Sequence, residues 1–208
     1  MSKITEVAEL VEKGKAKLVG AAVQGALDEG CDATEILSSM IDAMAVVGEK
    51  FKNGEIFVPE MLVAARAMKK GVEVLKPHLA TGATGSMGKL IIATVAGDLH
   101  DIGKNLVAMM IESAGFEVID LGVDVPASKI IECYKENPDV KVIALSALLT
   151  TTMPSLKDTV AAINAEDFRG KVKVMVGGAP ITDAFAKEIG ADGYSEDAAS
   201  AAVLAKAL

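Results

Sequence analysis

His100 is one of only two histidines in this 208-residue chain, and Asp98 stands two residues before it. A carboxylate within reach of the second imidazole nitrogen fixes the tautomer and makes the free nitrogen a better ligand. That pairing suits metal ligation, yet no other His or Cys lies nearby to complete a zinc site. One imidazole backed by one carboxylate fits a metal whose remaining ligands come with a cofactor. Gly103 follows the histidine, and two later segments are rich in hydroxyls or glycine: Ser146-Ala147-Leu148-Leu149-Thr150-Thr151-Thr152 and Gly177-Gly178. Each also has a plain structural reading: a solvated loop histidine, hydroxyls bonded to local backbone, an ordinary strand-end turn.

These segments need elements to hold them. From Lys89 the chain alternates β-branched runs with helical stretches. The runs are 89–95, 117–122, 140–147 and 171–176, with a weaker one at 191–195; helices are expected at 102–114, 127–136, 153–164, 183–189 and 197–207. Runs apolar on both faces, separated by helices, predict a doubly wound five-stranded parallel sheet. In that fold ligands bind beyond the carboxyl ends of the strands. The Asp98–Gly103 loop, the Ser146–Thr152 loop and Gly177-Gly178 all fall there.

The first 80 residues have a different period. Ile36, Leu37, Met40, Ile41, Met44, Val47 and Phe51 form one helical stripe, with Asp32 or Thr34 as its cap; Met61, Leu62, Ala65, Met68, Val72 and Leu75 form another, between Pro59 and Pro77. With helices at 4–12 and 15–28 these make a small four-helix bundle. Residues 81–88, TGATGSMG, read as a linker. The expected organisation is a helical domain over 1–80, the linker, and an α/β domain over 89–208.

Composition narrows the partners. The net charge of −8 disfavours binding to nucleic acid or an anionic membrane, where a basic face is needed. Aromatics are 3% of the chain and Met numbers ten, so the core is built from aliphatics and Met, and the Met stripe reads as packing. Cys31 and Cys133 form no knuckle or disulfide framework, and no signal or membrane-spanning run is apparent, so a reduced cytoplasmic protein is expected.

Asp98-x-His100-x-x-Gly103, then Ser146-x-Leu148, then Gly177-Gly178 resembles the corrinoid-binding signature. Forty-two residues separate Gly103 from Ser146, and 28 separate Leu148 from Gly177, intervals that agree with that family's pattern. The helical half is similar to the cap module that precedes the cobalamin-binding module in methionine synthase and in small methyltransferase corrinoid proteins. The resemblance covers essentially the whole chain. It implies a helical cap on a flavodoxin- or Rossmann-like cobalamin-binding domain.

By this resemblance His100 is the lower axial ligand of cobalt, replacing the cofactor's own base (base-off/His-on). Asp98 bonds its far nitrogen, and Thr152 continues the relay where methionine synthase carries Ser. Ser146, Leu148 and Thr150 line the slot for the displaced nucleotide tail, and Gly177 and Gly178 let the tail pass close to backbone. Gly103 completes the loop motif. Phe51 and Val58 match the cap residues that cover the upper corrin face, or else they fill the bundle core. The resemblance further implies a methyl carrier with no catalytic residue of its own, in anaerobic one-carbon metabolism. It would work between a substrate-specific methyltransferase and a second one using tetrahydrofolate or a thiol, with a reductive activation protein, and residues 81–88 would act as hinge. Two rivals remain: the cobalamin-binding subunit of a radical mutase, and a cobalamin-sensing regulatory module.

Overall fold

The computed structural model describes residues 2–79 and 87–208, which form two compact units. The glycine-rich stretch read as a linker lies for the most part outside the described residues; its last residue, Gly88, already belongs to the first strand.

The helical unit contains α1 (Lys3–Glu12), α2 (Ala16–Asp28), α3 (Ala33–Lys52) and α4 (Val58–Leu75). The cap of α3 is Asp32 rather than Thr34: its Oδ1 accepts from the N–H of Thr34 at 2.8 Å and of Glu35 at 3.1 Å. Helix α4 opens at Val58, one residue before Pro59, and Glu60 Oε2 accepts the Phe57 N–H at 3.1 Å. Its last turn ends at Leu75, ahead of Pro77, which has no N–H to continue it. Met40, Met44, Met61 and Met68 are all buried, so the Met stripe is core packing. At Gly71 three helices meet: a Cβ there would stand 2.3 Å from Met40 Cε and 2.9 Å from Val19 Cγ1.

The α/β unit runs β1 (Gly88–Thr94), α5 (Ile102–Ser113), β2 (Phe116–Asp120), α6 (Ala127–Glu136), β3 (Val140–Ser146), α7 (Met153–Asn164), β4 (Lys173–Gly177), α8 (Asp183–Glu188), β5 (Gly193–Tyr194) and α9 (Ala198–Ala207). All strand pairs are parallel, in the order β2-β1-β3-β4-β5. The central strands are buried on both faces, which is why they read as continuous apolar runs. Strand β4 starts two residues later than the sequence pattern predicts. Arg169 holds the preceding turn shut by donating to Val172 O at 2.8 Å and to Asp192 Oδ2 at 2.7 Å. Strand β5 is shorter than expected.

This order sets the site. The strand order reverses between β1 and β3, the switch point beyond whose carboxyl ends ligands bind in such sheets. The strand ends there are in register, with Thr94 opposite Ser146 and Ser146 opposite Gly177.

Candidate cofactor site

Asp98, in the loop that follows β1, is fully buried. Its Oδ1 accepts from the His100 N–H at 3.1 Å and lies 2.7 Å from His100 Nδ1. Its Oδ2 accepts from the Leu148 N–H and lies 2.7 Å from both that nitrogen and the Thr152 hydroxyl. The Thr152 oxygen is also 2.9 Å from Leu149 O; with one proton to give, it favours the charged acceptor. Two loops 50 residues apart in sequence thus close on one carboxylate.

Burial alone would push the Asp98 carboxyl up. The hydrogen bonds from Leu148, Thr152 and His100 outweigh it and hold the group well below the usual carboxylate range. Asp98 is therefore an ionised, acceptor-only group, so the proton on His100 must reside on Nδ1. In the neutral tautomer this leaves the lone pair on Nε2, on a side chain 49% exposed.

The low carboxyl has a consequence for stability. A carboxyl whose folded value lies below its ordinary 3.8 contributes stability that is present above that pH and lost as pH falls below it. The cofactor-free chain should therefore lose stability progressively below pH 3.8, and Asp98→Asn should flatten that part of the acid-denaturation curve. At pH 7 the same variant should be less stable by roughly 3 kcal/mol, because an amide NH2 would face the donors that now converge on Oδ2. Urea melts at several pH values measure both effects; superimposable curves for the two proteins would contradict them.

Leu148 and Thr150 follow β3 on the exposed side of the loop, and Ser146 is half-buried at the strand end. Gly178 has φ +127°, and a Cβ there would fall 1.9 Å from Ala147 O. At Gly177 a Cβ would come within 3.1 Å of Ser195 O. Gly103 lies in the first turn of α5, where a Cβ would project into open space. The structure thus brings together Asp98, His100, Leu148 and Thr152 by hydrogen bonds, and Ser146 and Gly177 by strand register. Phe51 and Val58 belong to the helical unit, Phe51 half-buried near the end of α3 and Val58 exposed at the start of α4.

Sequence reasoning passed over an apolar rim. Leu99 is 72% and Ile102 84% exposed, on either side of His100, and Leu149 is exposed beside Leu148. Apolar residues so close to the loop histidine were a signal, but only the loop's path shows that they are exposed. Buried Lys104, one turn into α5, pairs with Asp120 at the end of β2 and ties that helix to the sheet.

These features fit a flat, largely apolar cofactor that brings its own metal. The His100 ring is half exposed, exposed Leu99 and Ile102 lie on either side of it in the loop, and Gly103 leaves the helix start bare. Among the described residues no group of three or more His, Cys, Asp or Glu is placed to hold a metal ion without such a cofactor. Nor is any helix among them long and apolar enough to cross a membrane.

Comparison with known proteins agrees with the geometry. A family described as B12 binding domain matches residues 88–203, and a second family of the same description matches 4–76. Dimethylamine corrinoid protein 1 of Methanosarcina acetivorans is 46% identical over 208 residues, covering 99% of this chain and 96% of the relative. Among solved structures, a cobalamin-binding protein from Desulfitobacterium hafniense superposes with a TM-score of 0.83 at 32% identity, covering 98% of this chain and 97% of that one. A chain of the methanol:cobalamin methyltransferase complex from Methanosarcina barkeri also gives 0.83, at 30% identity, covering 99% of this chain and 78% of that one. Fold and site together define a B12-binding protein whose cofactor is a corrinoid. Within that class, the chain belongs to the family of methyltransferase corrinoid proteins.

Proposed function

We propose that this chain carries a methyl group between two partner enzymes, with the corrinoid bound base-off and His100 Nε2 as the lower ligand of its cobalt. The observation that carries the reading is the tethered imidazole: Nδ1 lies 2.7 Å from a buried, ionised Asp98, on a half-exposed ring in a loop whose Leu99 and Ile102 are exposed. When bound, the corrinoid supplies a cobalt centre able to accept a methyl group and give it up. The protein's own part is to bind, orient and hold a proton. Asp98 keeps the ring in one tautomer and one orientation, and Thr152 keeps Asp98 in place.

Ser146, Leu148 and Thr150 are proposed to line the slot for the nucleotide tail, which passes Gly177 and Gly178 close to backbone. On the helical unit, Phe51 and Val58 are proposed as the apolar cover of the opposite corrin face, and exposed Phe57 beside Val58 adds to that surface. One partner is a substrate-specific methyltransferase. The second uses tetrahydrofolate or a thiol, and a reductive activation protein restores the lowest cobalt state. Relatives named for dimethylamine favour a methylamine as the original donor. A radical mutase subunit or a cobalamin sensor is not favoured, since relatives matching the full length are corrinoid proteins.

The test is stoichiometric methyl loading. The chain is reconstituted with cobalamin, reduced, and incubated with dimethylamine and a dimethylamine methyltransferase. The visible spectrum should change to that of the methylated cofactor at about one methyl per chain. If methyl loading fails with dimethylamine, monomethylamine and methanol, each with its own methyltransferase, the carrier reading is wrong.

A further inference from the structure

The Asp98–His100 hydrogen bond orients the imidazole ring but does not by itself decide how far the ring stands from the sheet. That distance follows from the backbone of the loop between Thr94 and Ile102, which is pinned at three points outside the Asp98 network. The Thr94 hydroxyl donates to the carbonyl of His100 at 2.9 Å, and Thr94 is completely buried. Asp124 Oδ1 accepts from the Gly97 N–H at 2.7 Å, and the Asp124 N–H donates to the carbonyl of Asp98 at 3.0 Å. Thr94 and the 122–125 segment are bonded in turn, Thr94 N–H to Gly122 O and Val125 N–H to Thr94 O, each at 3.0 Å.

Two features mark these contacts as more than local satisfaction of polar groups. A fully buried strand-end position would be filled by Val without the burial of a hydroxyl; here the hydroxyl reaches a carbonyl six residues on. Asp124 has φ +53° and is the one non-glycine residue with positive φ among the described residues. Holding a side chain in that region is unfavourable and persists where surrounding contacts demand it.

We propose that Thr94 and Asp124 are positioning residues that clasp the backbone on both sides of Asp98 and so set the reach of His100 Nε2 toward the cofactor. This rests on the reading of His100 as the cobalt ligand. Binding of the corrinoid as a whole also draws on the slot proposed beyond β3 and β4, and neither the Thr94 hydroxyl nor the Asp124 carboxylate bonds to a residue of that slot. Ligation by Nε2, however, is sensitive to displacements of the order of an ångström.

The test uses the full chain loaded with hydroxocobalamin at one fixed pH. Bound corrinoid is counted, and the ratio of imidazole-ligated to unligated cofactor is read from the visible spectrum. Thr94→Val removes the hydroxyl and keeps the shape, and Thr94→Ser restores a hydroxyl. Asp124→Gly removes the acceptor and relaxes the positive φ, and Asp124→Asn keeps an oxygen acceptor. Thr94→Val and Asp124→Gly should retain corrinoid but shift the ligation ratio against His100 by roughly tenfold. Ser and Asn should return it close to the parent value. A parent-like ratio in both Thr94→Val and Asp124→Gly overturns the clasp. Should Thr94→Val not fold, the exposed Asp124 decides alone. A parent protein with no imidazole-ligated cofactor overturns the reading of His100 itself, and the clasp with it.

Discussion

Replacing His100 by Ala should abolish the imidazole-ligated spectrum of the cobalamin-loaded chain and weaken corrinoid binding by about 100-fold. The outcome depends on which nitrogen is free. Asp98 is ionised and fully buried, so Nδ1 carries the proton and Nε2 carries the lone pair. Removing the ring removes the one imidazole the loop can offer, and no neighbouring His or Cys stands in for it. Stability should respond far less. Asp98 loses one of four donors, and because the His100 side chain is half exposed, water can reach the vacated position, so the cost is about 1 kcal/mol. His100→Gln sharpens the distinction, since its amide can still donate to Asp98 but presents no comparable ligand. It should recover stability without recovering the spectrum. An Ala variant that keeps the imidazole-ligated spectrum would falsify the assignment.

The second large effect is expected at Gly178. A Cβ there would lie 1.9 Å from Ala147 O and 2.8 Å from the carbonyl carbon, both backbone atoms that no rotamer change can move aside. The φ of +127° is itself unfavourable for any residue with a Cβ. Overpacking and backbone strain together should make Gly178→Ala less stable by roughly 4 kcal/mol. For a chain of this size that corresponds to a fall in melting temperature of about 8–16 °C. Gly103→Ala is the informative contrast. Its Cβ meets nothing within 4 Å and Ala favours the helix, so stability should hold or rise slightly. Corrinoid affinity should fall, because the new methyl group would occupy the open surface proposed for the cofactor. Thermal melts of the cofactor-free proteins and cobalamin titrations separate the two cases. A Gly178→Ala protein that melts with the parent, or a Gly103→Ala protein with full affinity, would contradict the respective argument.

Much of the architecture was legible because it is written locally. The stripe from Ile36 to Val47 and that from Met61 to Leu75 each bury one helical face. The apolar runs at 89–95 and 140–147 correspond to strands buried on both sides. Strand β4 begins later than its apolar run, and a distant contact accompanies the change: Arg169, in the turn before it, reaches Asp192. Of the two caps the sequence offered for α3, Asp32 meets two N–H groups, and Thr34 is already inside the helix. The rim of Leu99, Ile102 and Leu149 escaped notice because exposure is a property of the path of a loop, which hydropathy does not carry.

The residue types and spacings by themselves determined the class of chemistry. A carboxylate two residues before a solitary loop histidine, followed by hydroxyls and paired glycines at strand ends, calls for a metal that arrives with its own cofactor. What only the tertiary structure decided is the state of that carboxylate. Asp98 is buried, ionised and fixed by donors from Leu148 and Thr152, 50 and 54 residues away. Those donors arrive because β1 and β3 are adjacent and in register, with Thr94 opposite Ser146. Strands buried on both faces carry no alternation from which such a register can be read. The β3–β4 register brings Gly178 against Ala147, and the β1–β2 pairing brings the 122–125 segment against the histidine loop.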